Sequence, residues 1–263
     1  MATFDNYEMS DRAIMLLMGD SGAGKTSLIA SAANAGYKVR VADFENKLAV
    51  LNTHLTNEGK KNLSYISFND ELNKIATAAK DFKKVLAMGW KDGAENFGKI
   101  ETWGTDTIFV IDSLSALAED MKHEALAISG RKSHEQLQVA EWGEAIRQMT
   151  NFLDYVTSDY FRCHILFTAL PQVIDDDSGI SRIYPAVVTK NFSTQVGRYF
   201  DNVLRIQSNR KGERSIRTCS DNKTELKILN SNKFESEIAP DLPKLIEGIT
   251  YGAVSHGDAT KAA

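Results

Sequence analysis

The chain has 263 residues, of which 43% are hydrophobic and 25% charged, and it carries a formal net charge of -4. That length accommodates one large α/β domain or two small ones, and no apolar run approaches the roughly 20 residues that cross a bilayer as a helix. The acidic balance excludes attraction of nucleic acid by a bulk field and leaves only local basic patches for that purpose.

In chain order, residues 1–11 form a polar lead-in, and the opening MATFDNYEMSDR is not a secretory signal. Met15 to Met18 is short and apolar and stops at Gly19, which predicts a buried strand. Leu28 to Ala33 predicts a helix that closes near Gly36. Between them, Gly19-Asp20-Ser21-Gly22-Ala23-Gly24-Lys25-Thr26 matches G-x-x-x-x-G-K-[ST] in full, with Ser27 next. Glycines let the backbone turn its N–H groups onto phosphate oxygens. The helix that starts there adds unpaired donors and the positive end of its dipole. Lys25 then reaches the β- and γ-phosphates, and the Thr26 hydroxyl ligates Mg²⁺. The stretch is expected to bind a nucleoside triphosphate.

Val39, Val41 and Phe44 mark a second strand ending at Asp43 and Glu45. Ligands of open parallel sheets lie at the carboxyl ends of strands, so either acid is a candidate to orient an attacking water. The alternative is a loop carboxylate paired with Lys47. Asp70 to Lys91 predicts an amphipathic helix with Leu72, Ile75, Ala79, Phe82 and Leu86 on one face and Lys80, Lys83 and Lys84 in solvent. Thr107 to Ile111 is a strand buried on both faces, and Asp112 at its end is a candidate to hold the water shell of Mg²⁺ opposite Thr26.

Glu135 to Val156 predicts a long helix whose stripe of Val139, Trp142, Ile146, Met149 and Leu153 is core or subunit interface. A third buried strand, Cys163 to Thr168, makes Thr168 and Gln172 candidates either for sensing the γ-phosphate or for plain strand-end capping. Residues 172–190 read as a polar turn between strands. Residues 205–217 carry five cations and one anion and read as a hairpin around Lys211-Gly212. The end of the chain, from Gly252, is small and polar. Two cysteines without CxxC spacing, Cys163 and Cys219, point to a reducing, cytosolic setting. The five histidines show no metal-ligand spacing.

Three of these segments together resemble the RecA-like core ATPases. Asp43-Phe44-Glu45-Asn46-Lys47-Leu48 resembles the segment in which a strand ends in D-A-E, and Phe109 to Leu117 resembles the Walker B run with its D-S-x-x-A-L ending. Tyr184 to Lys190, followed by Gly197 to Arg205, resembles a hairpin, short helix and F-D-x-V-L-R strand of the short phage-encoded members, and Pro240-Asp241-Leu242 before a last helix agrees. Some of those proteins anneal single strands in cooperation with a single-strand-binding protein. At the end of the third strand, where relatives have glutamine or histidine, this chain has Leu170.

The resemblance implies a RecA-like P-loop fold: a mostly parallel twisted sheet flanked by helices, with antiparallel strands added toward the C-terminus. It implies one ATPase domain over residues 12–248, a tail over 249–263, and a protein that uses ATP and Mg²⁺, binds single-stranded DNA and forms a filament or ring. Glu45 becomes the expected activator of water. Lys227, in Leu226-Lys227-Ile228-Leu229, takes the place of a cation that reaches the neighbouring subunit's nucleotide. The first DNA loop maps to 123–134 with Arg131 and Lys132. The second maps to 172–190, where Arg182, Tyr184 and Lys190 supply charge and a stacking face beside the acidic Asp175-Asp176-Asp177 tip. Arg210 and Lys211 are further DNA candidates. The same core also serves translocases and helicases, P-loop small-molecule kinases and nucleotide switches without turnover.

Overall fold

The computed structural model describes residues 11–70, 76–175 and 179–250. The elements in order are β1 (Ile14–Met18), α1 (Lys25–Asn34), β2 (Lys38–Asp43), α2 (Asn57–Asn62), β3 (Leu63–Ser67), α3 (Ala78–Met88), β4 (Trp90–Asp92) and β5 (Glu95–Gly98). They continue with β6 (Thr107–Asp112), α4 (Leu114–Ile128), α5 (Val139–Val156), β7 (His164–Ala169), β8 (Pro171–Asp175), β9 (Ser181–Pro185) and α6 (Lys190–Gln195). Last come β10 (Asn202–Ser208), β11 (Arg214–Arg217), β12 (Glu237–Ile238) and α7 (Leu242–Thr250).

The main sheet has the order β12-β11-β10-β1-β7-β6-β2-β3. All pairings from β10 across to β3 are parallel, whereas β11 and β12 join antiparallel. The expected fold class is the one observed, antiparallel additions included. Side chains alternate across each strand. Ile14, Leu16 and Met18 of β1 enter the apolar layer under α3, α4 and α5, while Met15 and Leu17 enter the layer under α1 and α7. Covered on both faces, the central strands need apolar residues at every position, which is why they read as unbroken runs.

Two predicted helices start later than their periodicity suggests. The one expected from Asp70 starts at Ala78, because the Asp70 carboxylate accepts the N–H groups of Thr77 and Ala78 and so stands outside the helix as a cap. Ala79, Phe82 and Leu86 are buried as expected, and Leu72 and Ile75 lie outside the described residues. Lys83 leaves the predicted solvated face to bond Glu124 and Gln148. The helix expected from Glu135 starts at Val139, where the Glu141 carboxylate accepts the Gln138 N–H. As the first helical residue Val139 is 90% exposed, whereas Trp142 and Ile146 pack half-buried against the core and Met149 and Leu153 are buried as expected, joined by Ala145, Phe152 and Val156. The β8–β9 hairpin stands apart from the main sheet, and the Asp176-Asp177 part of its expected tip, like the lead-in before Asp11 and the tail after Thr250, lies outside the described residues.

Candidate active site

The parallel strands end along one crest. In register, Met18 pairs with Ala169 and Arg205, and Asp43 pairs with Asp112 and Ser67. Every candidate from the first three strands therefore projects to one end of the sheet. The loop from Gly19 to Gly24 leaves β1 there, anchored by the Gly19 N–H on the Ala169 carbonyl at 3.1 Å. Gly22 and Gly24 have φ of 80° and 103°, in the left-handed region that favours glycine, and α1 begins directly after Gly24. Lys25 is 7% exposed, and its ammonium donates to the carbonyls of Gly19 at 2.6 Å and Asp20 at 3.0 Å. Burial lowers its pKa, against the raising influence of Glu45, Asp112 and Asp20. A cation held on loop carbonyls at the start of a helix is suited to a phosphate chain.

The Thr26 hydroxyl donates to one oxygen of Asp112 at 3.0 Å, and the buried Thr168 hydroxyl donates to the other at 2.5 Å. Burial raises the Asp112 pKa, eased by Thr168 and aggravated by the charge of Glu45. A hydroxyl and a carboxylate oxygen in contact, in a pocket that disfavours an unpaired negative charge, form a donor set that fits a hard divalent cation such as Mg²⁺. Thr168 is thus committed to orienting Asp112. Gln172 donates to Ser193 Oγ at 2.5 Å and faces the Pro185 carbonyl at 3.4 Å, so its amide braces the β8–β9 hairpin.

The acids at the end of β2 and in the turn after it separate by their bonding. Asp43 is 1% exposed and accepts the N–H groups of Glu45 and Asn46 at 3.0 and 2.8 Å and the Ser67 hydroxyl at 3.4 Å. Its lone pairs build the turn. Glu45 keeps its carboxylate at the crest, where Oε1 accepts Ser113 Oγ at 2.6 Å and Oε2 lies 3.4 Å from Lys47 Nζ. The pairing with Lys47 read from the sequence as an alternative is therefore present, together with a bond to the residue that follows Asp112.

The remaining candidates disperse. Lys227 is exposed on a segment that belongs to no regular strand but bridges β10 through backbone bonds with Val203. Arg131 is held between Glu135 at 3.3 Å and Glu141 at 3.4 Å, and Arg182 pairs with Glu225 at 2.7 Å. Lys132 and Lys190 are exposed, and Tyr184 is half-buried on β9. Arg210 and Lys211 occupy the exposed tip of the β10–β11 hairpin, whose turn is organised by Asn209 accepting the N–H groups of Lys211 and Glu213.

Some groups escaped the sequence reading. Ser115 accepts the Leu170 N–H at 2.9 Å and donates to the Ala186 carbonyl at 2.7 Å, tying the start of α4 to both ends of the β8–β9 hairpin. Asp70, Asp120 and His123 offer ligand atoms within 4.8 Å of one another. Asp120 and His123 share a helical turn, a pattern that spacing alone shows, but Asp70 arrives from 50 residues earlier through the packing of α3 on α4.

The wound parallel sheet, the glycine loop and the Thr26–Asp112 contact define a P-loop nucleoside triphosphatase core. The chain belongs to the AAA domain family, whose model matches residues 11–228. It is similar in structure to a prototypical ATPase from the type III secretion system of pathogenic bacteria, at 12% identity over 76% of this chain and 52% of that one, with a TM-score of 0.47. It is also similar to the RadB recombinase, at 13% identity over 78% of this chain and 79% of that one, with a TM-score of 0.40. The chain thus spans about half the length of the secretion ATPase. No curated protein matches it in sequence. Among the described residues no helix is long and apolar enough to cross a membrane.

Proposed function

We propose that this protein binds and hydrolyses ATP with Mg²⁺ and couples that cycle to single-stranded DNA, promoting the pairing of complementary strands as a homo-oligomer. The observation that carries the ATPase reading is the Thr26–Asp112 bond at the crest, with Glu45 anchored on Ser113 one residue further along. Thr26 Oγ1 and the Asp112 carboxylate would hold Mg²⁺, which when bound neutralises charge on the phosphates. Lys25 exchanges its loop carbonyls for β- and γ-phosphate oxygens. Thr168 keeps Asp112 oriented, and Glu45, fixed by Ser113, positions a water in line with the γ-phosphate.

Support for the DNA reading comes from the motif resemblance and from the Ser115 bonds, which give the Asp112 end of β6 a direct mechanical link to the β8–β9 hairpin. Tyr184 and Lys190, with Lys132 on the other loop, supply a stacking face and charge. Arg131 and Arg182 contribute only after leaving their carboxylates. The exposed Arg182–Glu225 pair is of a kind worth about 0–1 kcal/mol, so DNA displaces it readily, whereas Glu141 is buried and holds Arg131 more firmly. On the same resemblance Lys227 reaches the nucleotide of a neighbouring subunit, and a single-strand-binding protein is the partner.

The test is ATP turnover with Mg²⁺, measured with and without single-stranded DNA, alongside binding of a labelled oligonucleotide across a salt series. DNA should accelerate turnover, and binding should weaken with salt on a shallow slope. Replacing Lys132 and Lys190 together by alanine should lower that slope by about 0.7 for each phosphate that is no longer neutralised. Turnover indifferent to DNA, with no oligonucleotide bound at low salt, would leave an ATPase of another kind.

A further inference from the structure

The cationic β10–β11 hairpin was a candidate DNA surface by composition, yet its base packs against the phosphate loop. We propose that this hairpin is a wall of the nucleotide site and that Arg214 contacts the phosphate chain of the nucleotide bound by its own subunit. The inference rests on the reading of residues 19–27 as a triphosphate-binding loop and adds a residue to it.

Three contacts place the wall. A β-carbon built on Gly24 would lie 2.8 Å from Arg214 Cδ, 2.9 Å from its Nε and 3.1 Å from its Cζ, so the guanidinium end lies directly over the glycine that opens α1. A β-carbon on Gly19 would lie 2.5 Å from Ile206 Cγ2 and 2.8 Å from the Ile206 carbonyl oxygen, which seats β10 on the first residue of the loop. Arg205 Nη2 lies 3.9 Å from Asp20 Oδ2. The order β11-β10-β1 in the sheet is what brings these residues to the loop.

The cations of the hairpin then divide by partner. Arg205 faces Asp20 and Thr224, Arg217 is paired with Asp221, and Arg210 and Lys211 stand at the tip, beyond the contact with the loop. Arg214 is exposed and lies over Gly24, where the N–H groups that open α1 would meet a bound anion. A planar guanidinium there can bond two phosphate oxygens at once, which an ammonium cannot match. Exposure leaves it free to meet a ligand, and the glycine beneath it gives the space.

The experiment is equilibrium binding of a fluorescent ATP analogue with Mg²⁺, in the absence of DNA, to the native chain and to the Arg214→Ala, Arg214→Lys and Lys25→Ala variants. Displacement by ADP and by inorganic tripolyphosphate is followed in parallel, and circular dichroism confirms folding. Arg214→Ala should weaken the analogue about tenfold, as expected for a charge-assisted hydrogen bond. Arg214→Lys should recover part of that loss, and tripolyphosphate should suffer the same loss as the nucleotides. Native affinity in Arg214→Ala, together with weakened binding in Lys25→Ala, overturns the role of the hairpin and leaves the loop intact. Native affinity in Lys25→Ala overturns the loop reading itself, and the proposal with it.

Discussion

Glu45→Gln is expected to leave ATP binding nearly intact and to slow hydrolysis by about 10²–10⁴-fold, the usual contribution of a positioned general base. The carboxylate is held on one side by the Ser113 hydroxyl and faced on the other by Lys47, at the same crest as the Thr26–Asp112 pair. Glutamine keeps the shape and one acceptor but loses the charge that draws a proton from water. Because Lys25, Thr26 and the loop N–H groups are untouched, nucleotide affinity should not follow turnover. Ser113→Ala should lower turnover less, since it frees Glu45 without removing it. Asp43→Asn should act differently, through stability, because that side chain closes the turn after β2. Single-turnover hydrolysis beside analogue binding separates the cases. Unchanged turnover in Glu45→Gln would remove it from the chemistry.

The second large effect concerns Asp120→Asn and is a matter of stability. Asp120 is pushed up to about 7 from an ordinary 3.8 by burial first, then by the negative charges of Asp70 and Glu119, against the lowering influence of His123. The folded carboxyl therefore holds its proton more tightly than the unfolded one. Native stability falls as pH rises from about 3.8 to about 7, and the full loss persists above that. Each pH unit of that window corresponds to at most about 1.4 kcal/mol.

His123 pushes in the same direction. Its hydrogen bond with Asp70 raises its pKa, so its contribution is present below about 6.5 and is lost as pH rises through the folded value. Asp70 acts elsewhere. Burial alone would raise it, but His123 and the N–H groups of Ala78 and Thr77 hold it below its ordinary value, so its contribution is lost only under acid conditions. Removing the Asp120 titration should make the variant more stable than the native chain by a few kcal/mol at about pH 8, and little different at about pH 4. Denaturant unfolding in the presence of a chelator, at both pH values, checks this. Equal stability at the higher pH contradicts the burial of charge at Asp120.

The phosphate loop and the strand ends at Asp43 and Asp112 were readable from residue order because their chemistry is local. A loop that wraps phosphate needs its glycines, lysine and hydroxyl within one turn of each other, and a strand covered on both faces must be apolar throughout. The parallel sheet with antiparallel additions followed from the same signals. Helix starts did not, since Asp70 and Glu141 cap from positions that hydrophobic periodicity treats as ordinary.

Folding alone settled the rest. Asp43 and Glu45 are two residues apart and equivalent by spacing, separated in the sequence only by the motif resemblance, and the fold gives the physical reason: the turn consumes the lone pairs of the first and Ser113 meets the second. Five cations in residues 205–217 look interchangeable until β10 lies beside β1 and lays Arg214 over Gly24. Ser115 has no signature at all, and its link to the β8–β9 hairpin exists because β7 ends next to β6. Short-range backbone demands leave their mark in consecutive residues, whereas contacts between distant segments are chosen by the order of strands in the sheet, which no local stretch encodes.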